Sequence, residues 1–180
     1  MPDSLPVAAD LRRGLAVAAV ESTIVDVPTV RRHKLSQTSV TAQSYVVVQV
    51  RLVNGAEGIG EAATLGGPRW SEESVEAMKA NIDAYLAPAI LGLDASRFEA
   101  AGLRMDGAAK RNNAAKAALE TALFDAVGKT LGLSAAALLG GAVRVGERGG
   151  GGVRHGSLRL RRPWRARARP PSRAGSRPRG

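Results

Sequence analysis

The sequence contains no cysteine, which excludes disulfide bonds and thiolate metal sites but is compatible with any cellular compartment. Aromatic residues make up only 3% of the chain, and no segment approaches the roughly 20 apolar residues that a membrane-spanning helix needs. The two histidines, His33 and His155, have no nucleophile signature beside them, so Ser/His/Asp catalysis is unsupported. These absences predict a soluble protein, expected in the cytoplasm.

Acidic residues become scarce only near the end of the chain. Residues 1–143 hold 14 Lys and Arg against 15 Asp and Glu, a net charge of −1. Residues 144–180 hold 12 Arg, no Lys and a single acid, Glu147, a net charge of +11. The overall charge of +10 therefore describes this tail and says nothing about the preceding part.

The Arg-, Gly- and Pro-rich tail over residues 144–180 is predicted to be disordered, because its few apolar side chains cannot offset the entropy lost on ordering. One explanation is a basic segment that binds nucleic acid or acidic surfaces through salt-dependent phosphate contacts. The other is GC-rich DNA translated in a shifted reading frame, which also explains the abrupt change at Arg144 and is the one we favour.

A run rich in Val, Ile and Ala predicts a first strand over residues 16–27, ended by Pro28 because proline cannot donate to a sheet ladder. The polar residues 31–37 are expected to form an excursion between strands.

A second strand is predicted over residues 44–53 and a return strand over residues 56–62. Asn54-Gly55 between them is a strong hairpin signal, since both central positions of a type I′ turn need a positive φ. The three strands together predict an antiparallel meander.

Helical spacing replaces alternation after Pro68. Ser71 is a suitable N-cap for a first helix, and Pro88 is expected to bound it. Its predicted apolar stripe is Val75, Met78, Ile82, Tyr85 and Leu86. A weaker helix is predicted over about residues 96–105, anchored by Phe98 and Leu103.

The longest helix is predicted over about residues 113–131, ended by Gly132, with a last short turn capped by Ser134. Its alanine-rich stripe implies close packing. Strands followed by helices indicate the α+β class. We predict a flexible leader over residues 1–15, one folded domain over residues 16–143 and the tail over residues 144–180.

Two motifs invite a functional interpretation. The run Gly58-Ile59-Gly60-Glu61-Ala62-Ala63 formally matches a dinucleotide fingerprint, but it follows a hairpin and does not open a helix, so a nucleotide site is not expected. Glu57 and Glu61 share one face of a strand. Paired carboxylates occur in acid/base and metal sites, although such residues are more often solvated.

Four segments in order carry a resemblance to a known family: His33-Lys34-Leu35, Glu57 to Gly67, Lys79 to Ala89, and Ala115 to Gly141. They are similar to the N-terminal domain of the muconate cycloisomerases, also called muconate lactonizing enzymes, of the enolase superfamily. The similarity covers about residues 20–144.

The resemblance implies an α+β domain that caps a (β/α)₈ barrel in a homo-oligomeric enzyme. That enzyme is a Mn²⁺-dependent isomerase, an intramolecular lyase, that interconverts cis,cis-muconate and muconolactone in bacterial catechol degradation, the β-ketoadipate pathway of aromatic hydrocarbon catabolism. Barrel lysines act as acid and base, and barrel carboxylates hold the metal.

On the same resemblance, His33 lies on one lid loop, and Leu65 and Trp70 lie on the other, facing the substrate. Trp70 stands where many members have tyrosine, which leaves open the preference between muconate and chlorinated muconates.

The sequence departs from the family after the domain. A (β/α)₈ barrel needs about 200 residues or more, and no lysine occurs after Lys129. We therefore expect a truncated or frameshifted chain without catalytic residues or metal ligands, inactive by itself. The alternatives are a non-enzymatic binding module that acts through its arginine tail, and a helper that caps another chain's barrel.

Overall fold

The computed structural model of the protein describes residues 14–34, 39–64, 67–69 and 72–141. Most of the predicted leader and the whole of the predicted tail lie outside these residues. The elements are β1 (Val17–Lys34), β2 (Ser39–Leu52), β3 (Glu57–Ala63), a 3₁₀ turn (Gly67–Arg69), α1 (Val75–Asn81), a π-helical turn (Ile82–Leu86), α2 (Ala87–Ile90), α3 (Phe98–Ala108), α4 (Asn113–Leu131) and α5 (Ala135–Leu138). This order confirms the predicted α+β class.

The three strands form one antiparallel sheet in the order β1-β2-β3, which confirms the predicted meander. One face of β2 is buried against the helices through four side chains: Val46, Val48, Val50 and Leu52. None of the helices in the described part of the chain has both the length and the apolar content that crossing a bilayer requires.

β1 is longer than predicted, because it continues through Pro28 to Lys34. Proline is tolerated on this strand since β1 lies at the edge of the sheet, and the pairing register shifts between Pro28 and His33. The predicted excursion over residues 31–37 is therefore wrong for its first four residues, and the rest of it lies outside the described residues.

The hairpin between β2 and β3 is present, but its turn differs from the predicted type I′. Only Gly55 of the predicted pair has a positive φ, at 86°. The Gly55 N–H donates to the Leu52 carbonyl at 2.9 Å, and the Leu52 N–H donates to the Ala56 carbonyl at 2.9 Å. These bonds define a type I turn followed by a left-handed glycine bulge, a common three-residue hairpin loop.

The first helical segment corrects three expectations. Its N-cap is Ser74, whose Oγ accepts the Ala77 N–H at 3.2 Å. Pro88 does not end the helical segment, and α2 continues to Ile90. The π-helical turn before α2 accommodates the proline, which has no N–H to donate. That turn also leaves Tyr85 56% exposed, so it does not belong to the predicted apolar stripe.

The second helix predicted from the sequence corresponds to α3. It buries Ala101 and Met105, whereas the predicted anchor Leu103 is 73% exposed. Its other predicted anchor, Phe98, is partly buried against the core. Ala101 and Met105 therefore make the contact that we assigned to Leu103.

The core depends on the contact between β3 and α4. The predicted stripe of α4 is fully buried: Ala115, Ala118, Leu119, Ala122 and Ala126. Gly58 and Gly60 of β3 face this stripe so closely that a Cβ on Gly58 would overlap the Ala122 carbonyl oxygen, and one on Gly60 would overlap the Ala118 carbonyl oxygen. The glycines therefore let the helix backbone lie directly against the sheet.

Gly60→Ala should destabilise the domain, since the added methyl group forces α4 away from β3. We expect the free energy of unfolding to fall by about 3 kcal/mol, the upper range for overpacking a core. Urea denaturation of the full chain, followed by circular dichroism, measures this. Gly107→Ala in α3 is the matched control, because its added Cβ meets nothing within 4 Å. Equal urea midpoints for the two variants would contradict the packing account.

An ion pair on α4 covers part of the free edge of β3. The Asp125 carboxylate accepts the Ile59 N–H at 2.8 Å and pairs with Lys129 at 2.7 Å, and Lys129 donates to the Glu57 carbonyl at 2.9 Å. Partial burial alone would raise the pKa of Asp125, but the bonds from Lys129 and Ile59 outweigh burial and hold the pKa below its ordinary value.

The lowered pKa of Asp125 predicts a pH-dependent contribution to stability. Because the folded pKa lies below the unfolded value, the contribution is present above the ordinary value of 3.8 and is lost as pH falls through the folded pKa. Asp125→Asn should cost about 1 kcal/mol at pH 7, with a smaller difference from wild type at pH 2.5, in urea titrations at both pH values. Glu61→Gln, an exposed carboxylate on β3, is the control. A difference that stays constant with pH would contradict this role.

Candidate functional site

A cavity of about 380 Å³ lies where the sheet ends beside the first helix. Its walls come from the start of β2, the residue after β3, the 3₁₀ turn and the start of α1. The lining residues are Ser39, Val40, Thr41, Ala42, Gln43, Ser44, Thr64, Gly67, Pro68, Ser74, Val75 and Glu76. Ser39 directly follows residues 35–38, and Thr64 and Gly67 flank residues 65–66. The cavity is thus bounded by described residues next to both segments that the resemblance assigns to lid loops.

One wall is fixed by the side chain of Gln43. Its Nε2 donates to the Thr64 carbonyl at 2.9 Å and to the Ser44 carbonyl at 3.0 Å, and the Ser44 Oγ donates to the Asp26 carboxylate. These bonds tie the residue after β3 to β2, and β2 to β1. The position of Thr64 is therefore fixed where the chain leaves the sheet, just before Leu65, which the resemblance assigns to the second lid loop.

The opposite wall is fixed by Glu73, just before α1. Its two carboxylate oxygens accept the backbone N–H groups of Ala114 at 2.9 Å and Ala115 at 3.4 Å, at the start of α4. These N–H groups have no partner within their own helix, and a negative charge suits this end of the helix dipole. Glu73 therefore caps α4 and holds the chain just after the second lid loop, to which the resemblance assigns Leu65 and Trp70, against the core.

The cavity offers groups that bind and orient a polar molecule. Hydroxyl groups come from Ser39, Thr41 and Ser74, and each can donate or accept a hydrogen bond. Among the described residues that line it there is no lysine, arginine or histidine, and Glu76 is the one carboxylate. This described part of the lining suits positioning more than proton transfer.

The predicted site residues have different outcomes. His33 lies near the end of β1, where its backbone pairs with Val40, a residue of the cavity wall. Leu65 and Trp70 lie outside the described residues, so the substrate contacts of all three stay predictions. Glu57 and Glu61 are exposed, and within the described residues no group of three His, Cys, Asp or Glu side chains is placed to hold a metal ion.

The glycine motif that resembles a dinucleotide fingerprint has a structural role in the packing of the core. Gly58 and Gly60 belong to an antiparallel strand and pack against α4, which leaves no space there for a pyrophosphate. None of the residues that shape the cavity, Gln43, Thr64 and Glu73, was predicted from the sequence as a site residue. A polar residue at the start of an apolar strand was the available signal for Gln43.

Comparison with known proteins gives the same family as the sequence resemblance. The model of the mandelate racemase / muconate lactonizing enzyme N-terminal domain matches residues 19–140. Muconate cycloisomerase 1 of Pseudomonas putida is 50% identical over 130 residues, which are 71% of this chain and 35% of that protein. The chloromuconate cycloisomerase of Pseudomonas sp. strain P51 is 48% identical over 131 residues, which are 73% of this chain and 35% of that protein.

Solved structures show the same similarity in three dimensions. The muconate lactonizing enzyme of Pseudomonas fluorescens, complexed with muconolactone, superposes with a TM-score of 0.70 at 44% identity, covering 73% of this chain and 35% of that one. The 2-chloromuconate cycloisomerase of Rhodococcus opacus 1CP gives 0.69 at 47% identity, with 72% and 35% covered. The chain spans about a third of the length of these relatives. It belongs to the mandelate racemase / muconate lactonizing enzyme family, of which it carries the N-terminal domain.

Proposed function

We propose that this domain caps the active site of a muconate or chloromuconate cycloisomerase, an isomerase that interconverts cis,cis-muconate and muconolactone. The observation that carries the proposal is the cavity beside both lid segments, on a domain up to 50% identical to proteins named for this activity. The relatives extend for about two thirds of their length beyond the matched part, and we assign the reacting groups to that part.

The domain would act by closing over the substrate. A cap excludes water, which strengthens electrostatic interactions inside the site, and it holds the substrate in one orientation. We assign the apolar wall of the cap to Leu65 and Trp70, and a polar contact on the other lid segment to His33. The bonds made by Gln43 and Glu73 support this assignment, because they fix the two ends of the segment that carries Leu65 and Trp70.

The family belongs to the metal-dependent enolase superfamily. The described residues do not fit a metal site, since they hold no suitable group of carboxylates and histidines. We therefore assign the Mn²⁺ and the acid and base lysines to the barrel of the complete enzyme. A cytoplasmic location is part of the same proposal.

The 180-residue chain, co-expressed with the part of the P. putida enzyme that lies beyond the matched segment, should consume cis,cis-muconate in the presence of Mn²⁺. Loss of muconate absorbance measures the rate, and chloromuconate in the same assay gives the preference. The relative's own N-terminal third is the positive control. Turnover by the purified chain alone would contradict the assignment of the chemistry to the barrel. The capping role would be contradicted if the positive control were active but the chain and the barrel portion together consumed muconate no faster than the barrel portion alone.

Trp70→Ala in the same pair should lower kcat/KM for muconate about tenfold, corresponding to about 1.4 kcal/mol, because the cap loses part of its apolar wall. Leu65→Ala should act in the same direction with a smaller effect. Trp164→Ala, which removes the tail's tryptophan, is the matched control and should leave kcat/KM unchanged. The same kcat/KM for Trp70→Ala and wild type would contradict the assignment of Trp70 to the substrate site.

A further inference from the structure

The face of the sheet that points away from the helices is only partly covered. Successive side chains of a strand point to opposite faces, and Val46 and Val48 of β2 are buried against the helices. The strand pairing therefore directs the odd-numbered residues of 19–27, 45–51 and 57–63 to the opposite face. We call this set of residues the outer face. Its side chains are all exposed or half-buried, so it is available for a contact.

An apolar depression lies on the outer face. A cavity of about 260 Å³ is lined by Val25, Val27, Tyr45, Val47 and Glu61. The three valines and the tyrosine are half-buried. Pockets for small molecules usually begin at about 300 Å³, so this cavity suits one large side chain. A flat aromatic ring gains the most from such a position, because it buries a large apolar area.

The charged residues of the outer face are mostly acidic. Glu61 borders the cavity, and Glu21 and Glu57 are exposed on the same face. Within the described residues, none of these three glutamates belongs to an ion pair. Arg51 is the one basic residue of the outer face and pairs in register with Glu57. Three carboxylates against one guanidinium give a net charge of −2, which favours a basic segment that carries an aromatic ring.

The tail of this chain contains a segment with both properties. Residues 159–169, which lie outside the described residues, hold six arginines around Trp164. Trp164 is the only Phe, Tyr or Trp in the sequence after Phe124. Arginine binds carboxylates through two parallel N–H bonds, and these charge-assisted bonds are stronger than neutral ones. The segment is therefore complementary to the outer face in charge and in apolar shape.

The segment is attached within reach of the outer face. The described chain ends at Gly141, just after α5, and the start of α5 borders the same cavity as Ile59 of the outer face. Residues 142–158 span up to about 60 Å when extended, whereas a domain of this size has a radius of gyration of about 14 Å. Covalent attachment also gives the segment a local concentration of roughly the millimolar range.

We propose that residues 159–169 dock on the outer face of the same molecule, with Trp164 in the cavity and arginines paired with Glu61 and Glu21. The contact depends only on the side chains that the chain carries, so it holds for either origin of the tail. It is independent of the proposed function, because the outer-face cavity shares no lining residue with the cavity that we assign to the substrate. Exposed ion pairs contribute little to the free energy of unfolding, so the accessibility of Trp164 is the quantity to measure.

Acrylamide quenching of Trp164 fluorescence tests the docking in the full chain. Trp70→Phe leaves Trp164 as the one tryptophan. In low salt the quenching constant of this chain should be about threefold lower than that of a synthetic peptide of residues 155–180, because the docked ring is shielded from water. In 1 M NaCl the Debye length falls to about 3 Å, and the difference between chain and peptide should disappear.

A charge reversal on the outer face provides the decisive variant. Glu61→Lys should raise the quenching constant to that of the peptide, because it replaces attraction of the arginines by repulsion. Glu99→Lys on α3 is the matched control, since Glu99 is also exposed but lies outside the outer face. This control should keep the low quenching constant. Circular dichroism of each purified chain verifies the fold.

A second pair of variants leaves the folded domain untouched. Arg162→Ser with Arg165→Ser removes the two arginines closest to Trp164 on either side, and should raise the quenching constant as Glu61→Lys does. Arg177→Ser with Arg179→Ser removes the same charge farther along the tail and should have little effect. The comparison therefore separates the docking segment from the general charge of the tail.

The remaining outcomes overturn the proposal. A chain whose Trp164 is quenched as readily as the peptide contradicts docking, as does protection that persists in Glu61→Lys or is lost equally in Glu99→Lys. Protection that increases with protein concentration assigns the segment to a second copy instead of the same molecule. Protection that appears only after a single-stranded oligonucleotide is added assigns the arginines to nucleic acid.

Discussion

The close approach of α4 to β3 is the contact on which the rest of the domain depends. Gly58 and Gly60 allow the helix backbone to lie against the strand, and the alanines of α4 keep the other side of the contact equally thin. Apolar side chains alone cannot produce this spacing, because any Cβ on the two glycines would overlap a helix carbonyl. Two glycines on alternate positions of β3 thus define the geometry of the core.

The position of α4 also sets the geometry of the cavity. Its first turn receives the Glu73 carboxylate, which fixes one end of the segment beside the cavity. Its C-terminal half carries Asp125 and Lys129, whose bonds to Ile59 and Glu57 hold β3 against the helix. One helix therefore connects the core of the domain with the cavity that we assign to the substrate. A change in the packing of α4 on β3 is expected to disturb that cavity.

The sequence predicted α4 over about residues 113–131, and the helix spans Asn113–Leu131, because its alanine-rich stripe has helical spacing and Gly132 ends it. It misjudged Pro28 and Pro88, since an edge strand and a π-helical turn each accommodate a missing N–H through context that local patterns do not contain. Leu103 was assigned to the core by its hydrophobicity alone. At the site, the family resemblance pointed to the segments beside the cavity, whereas the Gln43 and Glu73 bonds join residues 21 and 41 positions apart and left no local signal.

Hydrogen–deuterium exchange of the chain, with and without the co-expressed barrel portion of the P. putida enzyme, tests the capping account most directly. The account predicts slower amide exchange in the complex at residues 39–44 and 64–76 around the cavity. Residues 46–52 of β2 and the residues of α4, already protected by the core, should change little. Exchange at residues 39–44 and 64–76 that is the same with and without the barrel portion would contradict the claim that this domain caps a barrel.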